Sequence, residues 1–186
     1  MVSIIDSVID AAVCDRVVKA LWPPHVPRSS TVWAVLDGAR DGRIHPALRL
    51  SRLDYRCLYS GRLAPALEAV APYLIELSPD YAFTRTLIEM GWGNSWGIFV
   101  RIEDPSRLRH HLRTLLRVRD EEGRFLLFRY YDPRVLRIFL PTCRPDELAQ
   151  MFGPIGSYLT ESEDGQSLIE FLFDGFQLQA RRTVSA

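Results

Sequence analysis

Phe125-Leu126-Leu127-Phe128-Arg129-Tyr130-Tyr131-Asp132-Pro133-Arg134-Val135-Leu136 is the stretch on which the architecture turns. An apolar run ends in two tyrosines and an aspartate, and a proline follows. An aspartate at this position caps the free N–H groups of a helix, and a proline at the first helical position needs no N–H of its own. The pattern predicts a buried strand over 124–130 that runs directly into a helix over 133–140. Arg129 interrupts the apolar strand, and a buried guanidinium without a partner is costly, so it is expected to pair with a carboxylate.

Upstream, apolar strand patterns and helical patterns alternate. Strands are expected over 31–36, 55–59, 73–77 and 95–102, with short helices over 46–52, 63–70 and 81–90 between them. An N-terminal amphipathic helix is expected over 4–21, ended by Trp22-Pro23-Pro24 because proline cannot continue it. Asp104-Pro105 repeats the cap and starts a helix with Leu108, Leu112, Leu115 and Leu116 on one side. Pro145 opens a further helix over 145–152. Downstream, segments 155–161 and 166–173 flank Asp164-Gly165, a strong hairpin signal, and Asp174-Gly175 precedes a last segment over 176–180. The expected fold is therefore α/β, with α+β as the variant: a mixed sheet of about five strands flanked by helices, plus a C-terminal hairpin or meander. Gly153-Pro154 divides it into a domain over 1–153 and an appendage over 154–186 packed on it.

Composition narrows the function classes. The 186 residues carry 23 basic and 23 acidic side chains, so no global field draws nucleic acid or an anionic membrane. Lys19 is the only lysine; the other cations are arginines, which suit planar hydrogen bonding and interfaces. Cys14, Cys57 and Cys143 are scattered and odd in number, as expected of free thiols in a reducing compartment. Residues 1–12 have no cationic lead and contain Asp6 and Asp10, so a signal peptide is not expected, nor is membrane insertion. A cytoplasmic protein is expected.

Catalytic motifs are weak. Gly93-Asn94-Ser95-Trp96-Gly97 matches the G-x-S-x-G of a nucleophile elbow, but an elbow needs a strand before the serine and a helix after it. Here the order is reversed, and the histidines downstream, His110 and His111, share the next helix. A tight turn that brings Trp92 and Trp96 against the core explains the glycines better. Adjacent helical positions point about 100° apart, so His110 and His111 do not converge on a metal; His111 reads as a hydrogen-bonded histidine at the core edge. Asp37, Glu76 and Asp132 fall near strand ends without forming an acid/base pair. Neither a catalytic site, a metal site nor a cofactor is expected.

FRYYDPRVL over 128–136, followed by Phe139-Leu140-Pro141, Glu147-Leu148 and Phe152-Gly153-Pro154, resembles the effector chaperones of bacterial type VI secretion. Features upstream agree in order: Trp33-Ala34-Val35-Leu36-Asp37-Gly38-Ala39 and the segment 55–61 resemble the first two strands of that family. Tyr73-Leu74-Ile75-Glu76-Leu77 after Ala71-Pro72 resembles its third, and Trp92-Gly93 with Ser95, Gly97 and Ile98 resembles its tryptophan-glycine element. The likeness covers about 33–154. It marks Trp92, Gly93, Trp96, Arg129, Tyr130, Tyr131, Asp132 and Pro133 as the structural motif of the family. It implies a non-catalytic cytoplasmic adaptor that binds a cognate effector, often through a PAAR-bearing region, and helps load it onto the VgrG spike.

Two alternatives stand beside this reading: an immunity protein that neutralises a toxin, and a small α/β hydrolase using Ser95. For the contact surface, two expectations follow from the residues. The first is the C-terminal meander, through Leu168, Phe171, Phe173 and Phe176. The second is an arginine stripe, Arg109, Arg113 and Arg117, on the helix after Asp104, facing an acidic patch on the partner.

Overall fold

Residues 9–120 and 122–184 are described by the computed structural model, and they carry the alternation of helix and strand that the patterning predicts. Helix α1 spans Ala11–Leu21; the Asp10 side chain accepts a hydrogen bond from Ala12 N at its start, and Trp22 ends it. The expected helical turn over residues 4–8 lies outside the described residues. Strand β1, Thr31–Asp37, is followed by α2, Ile44–Ser51, and β2, Tyr55–Cys57. Next come α3, Pro65–Ala69, β3, Pro72–Leu77, α4, Ala82–Gly91, and β4, Gly97–Ile102. Asp104 caps a 3-10 turn, Pro105–Arg107, that leads into α5, Leu108–Leu115. Strands β5, Arg117–Arg119, and β6, Phe125–Leu127, precede α6, Pro133–Phe139, and α7, Pro145–Phe152. Three strands close the chain: β7, Ser157–Glu161, β8, Ser167–Phe173, and β9, Leu178–Val184.

The layered α and β architecture is as expected, and its sheet has seven strands in the order β2-β3-β1-β4-β7-β8-β9. Every neighbouring pair is antiparallel, where the alternation suggested a mixed sheet. The reason lies in the crossovers. β1 and β2, joined through α2, run the same way, as do β3 and β4, joined through α4, whereas β2 and β3, joined through the short α3, are antiparallel neighbours. Each pair that runs the same way leaves one slot open, and an oppositely directed strand fills it: β3 lies between β1 and β2, and β1 lies between β3 and β4. The C-terminal strands extend this sheet, because β7 pairs with β4 through Phe99↔Leu159 and Val100↔Tyr158.

Alternate residues of each strand serve opposite faces. Val32, Ala34 and Leu36 of β1 join Tyr73 and Ile75 of β3 under α1, α2 and α4. Val35, Leu74, Ile98 and Val100 face the other way, under α5, α6 and α7. Gly97 begins β4 because nothing larger fits: a Cβ there would stand 2.1 Å from the Val35 carbonyl oxygen.

The expected fifth strand over 124–130 is corrected. Only Phe125–Leu127 is extended, and it pairs with β5 in a two-stranded ribbon outside the main sheet. The burial that its apolar composition signalled belongs to the residues just after it. The ladder closes where Phe128 N donates to Leu116 O at 2.9 Å. Beyond this point Tyr130 and Tyr131 turn fully inward, the Tyr130 hydroxyl donating to Leu112 O at 2.8 Å.

Candidate partner-binding surface

The strand-to-helix junction at 129–134 is built from two ion pairs. Asp132 accepts from Arg134 N at 2.9 Å, as an N-cap should, and its carboxylate also takes the Arg134 guanidinium at 2.6 Å. Arg129 pairs with a carboxylate as expected, that of Asp37 at the end of β1, but it is the aspartate that is buried and the arginine that stays half-exposed. Asp37 also accepts from Ala39 N at 3.1 Å, and its own N–H donates to Trp96 O at 2.8 Å. The junction thus locks α6 to β1 and to the loop before β4. Pro133 is buried at the first helical position. Asp37, Tyr130, Tyr131, Asp132 and Pro133 are buried, while the Arg129 and Arg134 side chains remain 42% and 51% exposed above them.

The G-x-S-x-G loop is equally structural. Glu161, buried at the end of β7, accepts from Gly93 N at 2.6 Å, Ser95 N at 3.0 Å and the Ser95 hydroxyl at 3.2 Å. Burial pushes the Glu161 carboxyl up from its usual range, against the pull of these three hydrogen bonds. Gly93 has a positive φ of 79°, which lets its N–H turn toward the carboxylate. Trp92 Nε1 donates to Gly165 O at 2.7 Å, and Trp96 Nε1 to Asp41 at 3.1 Å. Both tryptophans are buried, as expected, and the loop staples the C-terminal hairpin to the α4–β4 connection.

His111 is the hydrogen-bonded core-edge residue that was expected, with Nε2 2.9 Å from Met151 O. Burial lowers its pKa from the usual 6.5. The unfolded chain therefore takes up the proton more readily than the folded one. Stability contributed by the neutral ring is present above the unfolded value and is lost as pH falls through the folded value. The melting temperature should drop on acidification from about pH 8 to about pH 5, and His111→Gln should drop less. Parallel profiles for the two proteins would show that His111 is not the sensor. Among the described residues no group of three or more His, Cys, Asp or Glu side chains could hold a metal ion, and no helix is long and apolar enough to cross a membrane.

The arginines do not form one helical stripe. α5 ends at Leu115, so Arg117 stands on β5. Arg109 donates to Cys57 O at 3.0 Å, which fixes it against β2. Arg113 pairs with the Ser60 hydroxyl. Arg113 and Arg117 nevertheless meet at a cleft of about 490 Å³, lined also by Tyr59, Ser60, His110 and Leu127. The guanidinium groups of Arg117 and Arg119 lie over the Phe125 ring, 4.1 and 4.5 Å from its centroid.

The meander expectation is corrected at two of its four residues. Leu168 and Phe171 are core residues, and Phe173 packs half-buried with its ring 5.7 Å from that of Phe152. Phe176 alone of the four is displayed, at the turn after Asp174. Apolar residues are also exposed on both faces of the ribbon: Val118, Phe125, Leu126 and Leu127 are 39%, 54%, 49% and 52% exposed. Sequence reasoning missed them because a continuous apolar run reads as buried. The charges crowded around it, Arg117, Arg119, Asp120, Glu122 and Arg124, were the available signal. A second apolar hollow, about 570 Å³, lies between α2 and α4 against Leu50, Phe83 and Met90.

The family model for a domain of unknown function, DUF4123, matches residues 32–150. No curated protein matches the chain, and no solved structure does.

Proposed function

We propose that this chain, which belongs to the DUF4123 family, is a non-catalytic adaptor of type VI secretion. In this reading it binds a cognate effector in the cytoplasm, a PAAR-linked toxin being the expected kind, and helps place it on the VgrG spike. The observation that carries the reading is the apolar ribbon β5–β6 beside its arginine-lined cleft, an exposed surface of the composition that protein interfaces favour. Ribbon and cleft lie inside the residues that the family model matches. The motif serine and the buried carboxylates Asp37 and Glu161 are meanwhile engaged in holding loops together, and the ordered likeness to effector chaperones over 33–154 supports an effector as the partner.

Deleting the gene in its native host tests this. Secretion of the effector encoded beside it should fall by about tenfold or more, while the shared spike components are still released, and the gene in trans should restore it. Unchanged secretion would refute the adaptor role. Co-expression with the active toxin separates adaptor from inhibitor: an adaptor leaves the toxin lethal, whereas full protection would mean neutralisation.

A further inference from the structure

We infer that the cleft between α5 and the β5–β6 ribbon seats an extended partner segment in which carboxylates alternate with apolar side chains. This rests on the adaptor reading and names the chemistry of what it binds.

The argument begins with the ladder. Phe128 N donates to Leu116 O, and Asp120 N to Arg124 O at 3.1 Å. In an antiparallel pair the hydrogen-bonded positions alternate with non-bonded ones. Leu116/Phe128, Val118/Leu126 and Asp120/Arg124 are therefore the bonded pairs in this register. Arg117, Arg119, Phe125 and Leu127 occupy the positions between, so their N–H and C=O groups point away from the ladder on both edges. Among the described residues none of these groups has a backbone partner outside the ribbon.

The same four side chains share one face of the ribbon. Arg117 and Leu127 on that face line the cleft, opposite Arg113 and His110 of α5. An occupant thus meets Leu127 beside guanidinium groups, two of which, those of Arg117 and Arg119, lie over the Phe125 ring. A two-stranded ribbon is marginal in water, whereas three strands with an apolar face are not. A segment added along a free edge would supply the third strand. Its backbone would take the outward N–H and C=O groups, and its carboxylates would meet Arg113, Arg117 and Arg119. A basic segment would be repelled by the same three residues. Among the described residues, the acids at the ribbon's turn, Asp120 and Glu122, are paired with Arg124.

The test uses the full chain co-purified with the effector encoded beside its gene. A photo-cross-linking residue replaces Thr114, which is exposed on the cleft wall, or Leu50 in the α2–α4 hollow as the control position. The Thr114 position should capture the effector through a peptide rich in alternating acidic and apolar residues, and the Leu50 position should not. The double charge reversal Arg113→Glu with Arg117→Glu should weaken the complex about tenfold or more and leave a cooperatively folded chain, since Arg117 is exposed and the half-buried Arg113 gives up only its hydrogen bond to Ser60. Undiminished binding after reversal, capture at Leu50 alone, or a captured peptide that is basic would each overturn the assignment and leave the adaptor reading standing. A wild-type chain that binds no such effector would end both.

Discussion

Phe171→Asp is expected to unfold the chain, whereas Phe176→Asp leaves its melting temperature where it was. The two phenylalanines are five positions apart in one C-terminal meander, and both are candidates for the contact surface on sequence alone. In the fold Phe171 is 3% exposed and Phe176 is 84% exposed. Phe171 lies on β8 opposite Tyr158 of β7 and Ala180 of β9, and its ring belongs to the core under α5, α6 and α7. Removing such a ring costs about 3–5 kcal/mol, and a carboxylate left in its place without a cation adds several more. The sum rivals the whole stability of an ordinary domain, about 5–15 kcal/mol. Phe176 has no such packing to lose, so its change should stay within about 0.5 kcal/mol. Far-UV circular dichroism on heating checks both. A cooperative melt for Phe171→Asp near the wild-type temperature would mean that the β8 face is not core. If the cleft is the seat of the partner, Phe176→Asp also leaves effector binding intact.

That contrast shows where legibility stopped. The elements themselves were readable because their signals are local. β1, β3 and β4 announce themselves by apolar runs, Asp104 and Asp132 by the proline that follows each, and the meander by two Asp-Gly turns. Spatial neighbours were not readable in the same way. An interposed helix does not fix direction, since β1 and β2 run the same way across α2 and β2 and β3 run oppositely across α3, and nothing in their residues says that β3 will fill the slot between β1 and β2. The run 125–127 is legible as apolar and misplaced as buried, because apolar composition marks surface to be covered without saying whether the core or another chain covers it. Arg129 was legible as a group in need of a partner, while Asp37, the partner, became visible only once β1 and the junction were side by side. Glu161 carried no signal at all: a glutamate at a strand end near a turn reads as solvated, and its three donors come from a loop that is distant in sequence.

Arg101 is the other residue whose weight the sequence hides, and Arg101→Ala should cost about 3–5 kcal/mol, as breaking a buried ion pair does. It interrupts the apolar strand Ile98-Phe99-Val100-Arg101-Ile102 and looks there like a position turned to water. Instead its guanidinium is nearly buried, with 7% of the side chain exposed. It pairs with Glu170 of β8 and donates to the Ser157 hydroxyl at 3.2 Å. It also donates to Leu21 O at 3.0 Å and Ala20 O at 3.4 Å, the carbonyls that α1 leaves without intrahelical partners at its C-terminus. A cation is favoured at that end of a helix. One side chain thus joins β4, β7, β8 and α1. Truncation would strand Glu170, whose side chain is 13% exposed, together with two helix-terminal carbonyls. Urea titration should show a lower midpoint with little change in slope. The double variant Arg101→Met with Glu170→Leu separates the ion pair from the tether. Apolar replacement of both charges removes the stranded carboxylate and should recover most of the loss if the pair itself is the main term. Recovery that fails would assign the cost to the α1 carbonyls, and a single variant within about 0.5 kcal/mol of wild type would mean that this arginine is an ordinary surface residue.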